Sequence, residues 1–159
     1  MTPALHIRIA TAQDARGIAR MSRDLIEHGL PWTWQPARVA GAIATEHTNV
    51  AVVRVDRDLI GFGIMEYLDE DAHLVLFAVR PASQRQRVGS QLLEWLETAA
   101  IVAGAKRIRL EARRENAVAR HFYNEHGYHE ITIKSRMYSG AVDGIRFVKW
   151  LRPPATSDA

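Results

Sequence analysis

Residues 79–97 read VRPASQRQRVGSQLLEWLE: an apolar run ends in Val-Arg-Pro, a basic loop follows, and an amphipathic segment begins. The preceding residues AHLVLFAV (72–79) have the β-branched and aromatic content of a strand, and Pro81 stops it. Beyond the loop, Val88, Leu92, Trp95 or Leu96, Ala99 and Ala103 recur at helical spacing, with Gly104 as the stop. As residues 84–90 wind into that helix they offer backbone N–H groups that have no carbonyl partner inside it, at the positive end of the helix dipole. A pyrophosphate answers that requirement. Gly89 permits close approach of a ligand, and Arg80, Arg85 and Arg87 bring charge to phosphate oxygens. A solvated basic face with a small residue at the helix start would contain the same residues, and local chemistry leaves the two readings level.

Outward from this join the chain alternates element types. LHIRIA (5–10) alternates like a half-buried strand. Thr11 and Asp14 form a capping-box pattern for a first helix whose inner face would carry Ala15, Ile18, Ser22 and Leu25, stopped by Gly29 and Pro31. GLPWTWQP (29–36) is an aromatic loop, and Pro36 opens a second short helix reaching about His47. NVAVVRVD, LIGFGIMEYL and AHLVLFAVRP are three strands separated by RD and DED turns. After the central helix, KRIRLEA (106–112) is a strand, NAVARHFYNEH (116–126) a helix ended by Gly127, and HEITIKSRMY with IRFVKWL a final hairpin. This order predicts an α/β (α+β) domain: a mixed sheet of about seven strands, antiparallel at its start, with one strand–helix–strand crossover and helices on both faces. Residues 1–152 read as one domain and 153–159 as a flexible tail.

With 159 residues and 47% hydrophobic content the chain can bury a real core. It has no cysteine, which excludes disulfides, thiolate metal sites and cysteine nucleophiles. The seven histidines show no paired metal spacing, so no metal is expected. No stretch has the length of a membrane span and no leader pattern opens the sequence, so the chain reads as cytoplasmic. A formal charge of +3 invites an anionic ligand without demanding nucleic acid.

The segment FAVRP followed by Gln84-Arg85-Gln86-Arg87-Val88-Gly89 and the paired Leu92 and Leu93 resembles the acetyl-CoA-binding motif of the GNAT superfamily of N-acetyltransferases. One position departs: the family has a glycine where this chain has Arg87, so that the backbone either does without glycine's freedom or is ordinarily helical. A second motif, ENAVARHFYNEHGY (115–128), matches the family at Asn116, Ala119, Phe122, Tyr123, Gly127 and Tyr128. Two motifs in order, about 30 residues apart, are far more specific than either alone. The resemblance extends more weakly over residues 5–151. The segment Leu110-Glu111-Ala112-Arg113-Arg114-Glu115-Asn116, with the aromatic hairpin RMYSGAVDG, is most similar to the ribosomal-protein-alanine N-acetyltransferase group, which acetylates a protein N-terminal amine.

The resemblance implies the GNAT fold, with its two central strands splayed, and acetyl-CoA as co-substrate. It also implies a cofactor site made of Phe77, Ala78, Val79, Gln84, Arg85, Gln86, Arg87, Val88, Gly89, Ser90, Asn116 and Tyr123. Glu111 is implied as general base and Tyr123 as general acid. The chemistry suits them: an amine must lose a proton before it attacks a thioester, and the leaving thiolate gains from a donor beside it. A backbone N–H near Val79 could stabilise the oxyanion. Each assignment has a rival. Glu111 shares a strand face with Arg107 and Arg109 and could be an ion-pair partner, while Tyr123 could be a core aromatic. Glu66, Asp71 or His73 could be the base instead, His73 by virtue of imidazole's ordinary pKa near 6.5. Trp32, Trp34 and Tyr138 could line the acceptor pocket, although paired tryptophans also anchor loops. GFGIME (61–66) lacks the third glycine of a dinucleotide fingerprint and lies inside a strand.

The expected acceptor is a primary amine, on a protein N-terminus or a small molecule, and no membrane or nucleic-acid partner is expected. The final hairpin could pair across a homodimer. The alternative from another class is a non-catalytic acyl-CoA sensor or nucleic-acid-binding module.

Overall fold

The computed structural model describes residues 5–138 and 142–151, without the side chains of residues 84–86, 132–138 and 142. The proposed tail at 153–159 and the Tyr138 side chain lie outside what is described. Seven strands are present: β1 (His6–Ile9), β2 (Thr48–Val55), β3 (Asp58–Leu68), β4 (Asp71–Val79), β5 (Arg107–Arg113), β6 (His129–Tyr138) and β7 (Val142–Trp150). The α-helices are α1 (Ala15–Met21), α2 (Pro36–Ala44), α3 (Val88–Val102) and α4 (Ala117–Glu125). Neighbours in the sheet follow the order β1-β2-β3-β4-β5-β7-β6. The chain forms two compact units, one of Met1–Glu66 with Leu74–Leu96, the other of Tyr67–His73 with Glu97–Ala159. No helix among the described residues is long and apolar enough to cross a membrane.

In the first unit β1 pairs with β2 and β2 with β3, both antiparallel, the second pair joined by the two-residue turn at Asp56 and Arg57. Strand β3 is buried over seven successive residues because both of its faces are covered. Phe62 and Ile64 join Ile18, Ala19, Met21 and Val39 of the first two helices in one core. On the opposite face Gly61 and Gly63 admit α3. A Cβ at Gly63 would stand 2.5 Å from Leu96 Cδ1, and one at Gly61 would stand 3.1 Å from the Ala78 carbonyl and 3.6 Å from Leu92. The GFG stretch is therefore a packing surface for a helix.

Three sequence expectations need correction. Leu25 does not join the buried face and is 38% exposed, because Ser22–Ile26 winds as a π-helix and the wider turn shifts the stripe. The second helix ends at Ala44, where Thr45 turns extended, and does not reach His47. The buried stripe of α3 is Val88, Leu92, Leu93, Leu96 and Ala100, so Leu96 is chosen over Trp95, while Ala99 and Ala103 are not fully buried. That helix is covered over a wider arc than one residue per turn.

Asp14 ties the edge of this unit together. Its carboxylate accepts from Arg8 at 2.8 and 3.2 Å, from Arg54 at 2.6 Å and from the Thr11 N–H at 2.8 Å. Burial alone would push this carboxyl up, but the hydrogen bonds from Arg8, Thr11 and Arg54 more than offset it and hold it well below the usual carboxylate range. Its native pKa being depressed, the folded state binds fewer protons than the unfolded chain. The stabilisation is complete above the unfolded value, near 4, and is lost as pH falls through the native one. The urea midpoint should therefore begin to fall near pH 4 and drop steeply below it. In Asp14→Asn that dependence should flatten, and stability at pH 7 should drop by about 2 kcal/mol, through weaker hydrogen bonds to two partly exposed guanidiniums and the Thr11 N–H. An unaltered pH slope in the variant would remove Asp14 from this role.

In the second unit β5, β7 and β6 are antiparallel neighbours. Along β5 Ile108, Leu110 and Ala112 are buried, while Arg107, Arg109, Glu111 and Arg113 occupy the half-buried face. The acidic turn meets the basic start of β5: Lys106 pairs with Glu70 at 3.1 Å, and Arg107 grips Asp71 in a fork at 2.6 and 3.0 Å. Tyr128 donates to Glu97 at 2.8 Å and Lys149 to the same oxygen at 3.0 Å, joining α3's second half to β7.

Candidate active site

The loop before α3 adopts a conformation that its sequence does not announce. Residues Pro81–Gln86 form a 3-10 turn, and Arg87 then takes the left-handed conformation, φ 62 and ψ 18, before the helix starts at Val88. Of the two options for Arg87, the first holds: the residue takes the glycine-favoured geometry without glycine's freedom. An L residue there costs roughly 1–2 kcal/mol. The left-handed residue stands immediately before α3, whose N-terminus carries the positive end of the helix dipole. Arg87→Gly should raise the thermal midpoint, with up to about 1 kcal/mol gained. A lower midpoint would mean that the arginine side chain contributes more than its backbone costs.

Around this loop, Ala78, Val79, Val88 and Gly89 are buried, Phe77 and Ser90 are half-buried, and Arg87 is exposed. Arg80 is tied to β3: its Nε donates to the Leu59 carbonyl at 2.6 Å, and its backbone N–H to the Ile60 carbonyl at 2.8 Å. The aromatic loop is anchored to the core. Trp34 is buried within the α1–α2 cluster and Trp32 Nε1 donates to the Ala19 carbonyl at 3.1 Å. A residue not singled out in the sequence, Glu27, organises this loop. It accepts from Ser22 at 2.9 Å, from the Thr33 N–H and hydroxyl at 2.7 Å each, and from the Trp34 N–H at 3.2 Å. Burial would push the Glu27 carboxyl up, yet these donors keep it below its ordinary value. Only folding collects those donors, so nothing in the local sequence marks it.

In the second unit the rival bases come together. His73 Nε2 lies 2.6 Å from Glu111 Oε1, and Arg146, the cross-strand partner of Glu111, donates to Oε2 at 3.3 Å. Burial works to raise the Glu111 carboxyl. The hydrogen bond and charge of His73, with the charges of Arg146 and Arg109, prevail and set it below the ordinary value. Asp71 is occupied by Arg107, and Glu66 is exposed in the other unit.

Tyr123 is 7% exposed, its ring packed at 5.7 Å from both Tyr128 and Phe147. Phe147 pairs in register with Leu110, whereas Arg146 pairs with Glu111. Residues paired across antiparallel strands share a face. Tyr123 and Glu111 therefore stand on opposite faces of the β5–β7 pair. Asn116 is exposed and caps α4, its Oδ1 accepting from the Ala119 N–H at 3.1 Å.

Residues 10–128 match the acetyltransferase (GNAT) family. The chain belongs to that family. It is similar to the ribosomal protein bS18-alanine N-acetyltransferase of Salmonella typhimurium, with 31% identity over 114 residues, 72% of this chain and 75% of that protein. The crystal structure of the ribosomal-protein-S18-alanine N-acetyltransferase of Escherichia coli superposes with a TM-score of 0.79 at 25% identity, over 97% of this chain and 98% of the other. The PaiA N-acetyltransferase of Thermoplasma acidophilum, solved in complex with coenzyme A, shares the fold with a TM-score of 0.77, over 93% and 99% of the two chains at 18% identity. This GNAT protein is an N-acetyltransferase, and its nearer resemblance is to the ribosomal-protein-alanine group.

Proposed function

We propose that this N-acetyltransferase uses acetyl-CoA and passes the acetyl group directly to a primary amine within a ternary complex, with no covalent enzyme intermediate. The observation that carries the reading is the 2.6 Å pair of His73 and Glu111, an imidazole held by a carboxylate. An amine approaching from the Glu111 face would attack the carbonyl carbon, forming the C–N bond, while the C–S bond breaks and the thiolate takes a proton from the Tyr123 hydroxyl. His73 and Glu111 act as one base. The carboxylate, held ionised, is a weak acceptor by itself, whereas an imidazole oriented by a carboxylate can take the amine's proton and share the resulting charge.

The loop at residues 84–90 would hold the pyrophosphate. Its fit is supported by the left-handed Arg87 at the entry to the 15-residue helix α3. Val79 and Ala78 would flank the pantetheine end, and a backbone N–H near Val79 would meet the oxyanion. The Salmonella relative acts, by its name, on an alanine of ribosomal protein bS18. A protein N-terminus and a small amine are the two acceptor classes.

Calorimetric titration with acetyl-CoA, for wild type and Arg87→Gly, followed by free-thiol release against N-terminal peptides and small amines, tests the reading. Binding by both proteins and thiol release with one acceptor class are expected. Absence of acetyl-CoA binding to either protein would sink the transferase mechanism and leave a module that binds something else.

A further inference from the structure

The half-buried face of β5 and β7 carries more positive charge than its carboxylates balance. Arg107 is paired with Asp71 through two of its nitrogens. Glu111, by contrast, must serve His73 through Oε1 and two guanidiniums through Oε2: Arg146 at 3.3 Å and Arg109 at 3.8 Å. The second distance is beyond hydrogen bonding. The nearest carboxylate oxygen to Arg109 among the described residues is thus not a hydrogen-bond partner. Both guanidiniums are about one-third exposed, at 33% and 35%, whereas Glu111 is 16% exposed. A guanidinium has five donors in a planar fork matched to a carboxylate. Two of them beside one carboxylate leave a local excess of one positive charge and a set of donors suited to an anion.

That excess bears on which amine can approach. A simple alkylammonium reaching Glu111 would meet two guanidiniums and be repelled. An acceptor with its own anionic group beside the amine would bring the balancing charge with it. The spacing limits how far apart the two groups can be, because the guanidiniums stand within 4 Å of the carboxylate that works with the base: 3.3 Å for Arg146 and 3.8 Å for Arg109. An amine and a carboxylate on the same carbon satisfy both at once. We infer that the acceptor of this transferase is an α-amino acid with a free carboxylate, the carboxylate held by Arg109 and Arg146 while the amine faces His73 and Glu111. This deepens the transferase reading and rests on it. Arg109 and Arg146 are then specificity-determining residues, and an amidated chain start lacks the group they hold.

The test compares free α-amino acids with their carboxamides and with short peptides beginning in alanine, by free-thiol release at saturating acetyl-CoA. The carboxamide keeps the amine, with a lower ammonium pKa, and removes only the anion, so intrinsic reactivity near neutral pH favours it. A kcat/KM at least tenfold higher for an amino acid than for its carboxamide and for the alanine peptides is expected. Arg109→Gln should reduce that ratio at least tenfold, chiefly through the amino acid's KM, and Arg109→Lys should restore part of it. Circular dichroism of each variant separates this from misfolding. Transfer to carboxamides or peptides as fast as to amino acids, or an unaltered ratio in Arg109→Gln, would overturn the inference and leave the transferase standing. Transfer to no amine at all would overturn both.

Discussion

Tyr123→Phe is expected to lower kcat by about 10²-fold, near the lower end of what a positioned proton donor contributes, with acetyl-CoA affinity nearly unchanged. In free energy this is about 2.7 kcal/mol of transition-state stabilisation. The ring packs at 5.7 Å from Tyr128 and Phe147, and phenylalanine keeps those contacts, so a purely structural role would leave turnover close to wild type. Rapid-quench measurement of the first turnover, alongside calorimetry with acetyl-CoA, separates the chemical step from binding. Wild-type turnover in the variant would return Tyr123 to the core and require another donor for the thiolate.

The second large effect is expected at the His73–Glu111 pair. Glu111→Gln should lower kcat/KM by about 10²-fold, and His73→Phe by a similar factor, in the range of general base catalysis. Because the two side chains meet at 2.6 Å and act as a unit, the double variant should be no worse than the poorer single one. Additive losses would mean two independent roles. An unchanged pH–rate profile in Glu111→Gln and His73→Phe would turn attention to Glu66, since Asp71 is clamped by Arg107.

The motifs that pointed to the family were legible because each rests on local chemistry. Strand alternation, the Gly104 and Gly127 stops (φ 92 and 87) and the Asn116 cap are decided within a few residues of themselves. Glu111 and His73 could be named as rival bases but not as partners. They are 38 residues apart, and only the sheet brings their side chains to one face. Glu27 is illegible in the sequence for the same reason: its role lies in four donors on Ser22, Thr33 and Trp34 that converge only in the folded chain. Leu25 leaves the buried face because a 3.6-residue period does not hold across that wider turn.

The sequence by itself determined the order of elements, the two family motifs and hence the class of reaction, because periodicity and motif spacing act through neighbours along the chain. Tertiary structure decided the rest. It put Arg87 into a left-handed conformation that no local propensity favours, and paired His73 with Glu111. It also put Tyr123 and Glu111 on opposite faces through the register of Leu110 with Phe147 and Glu111 with Arg146. Those outcomes depend on strand register and on the burial of charge, and both are properties of residues far apart in sequence that meet only in the folded protein.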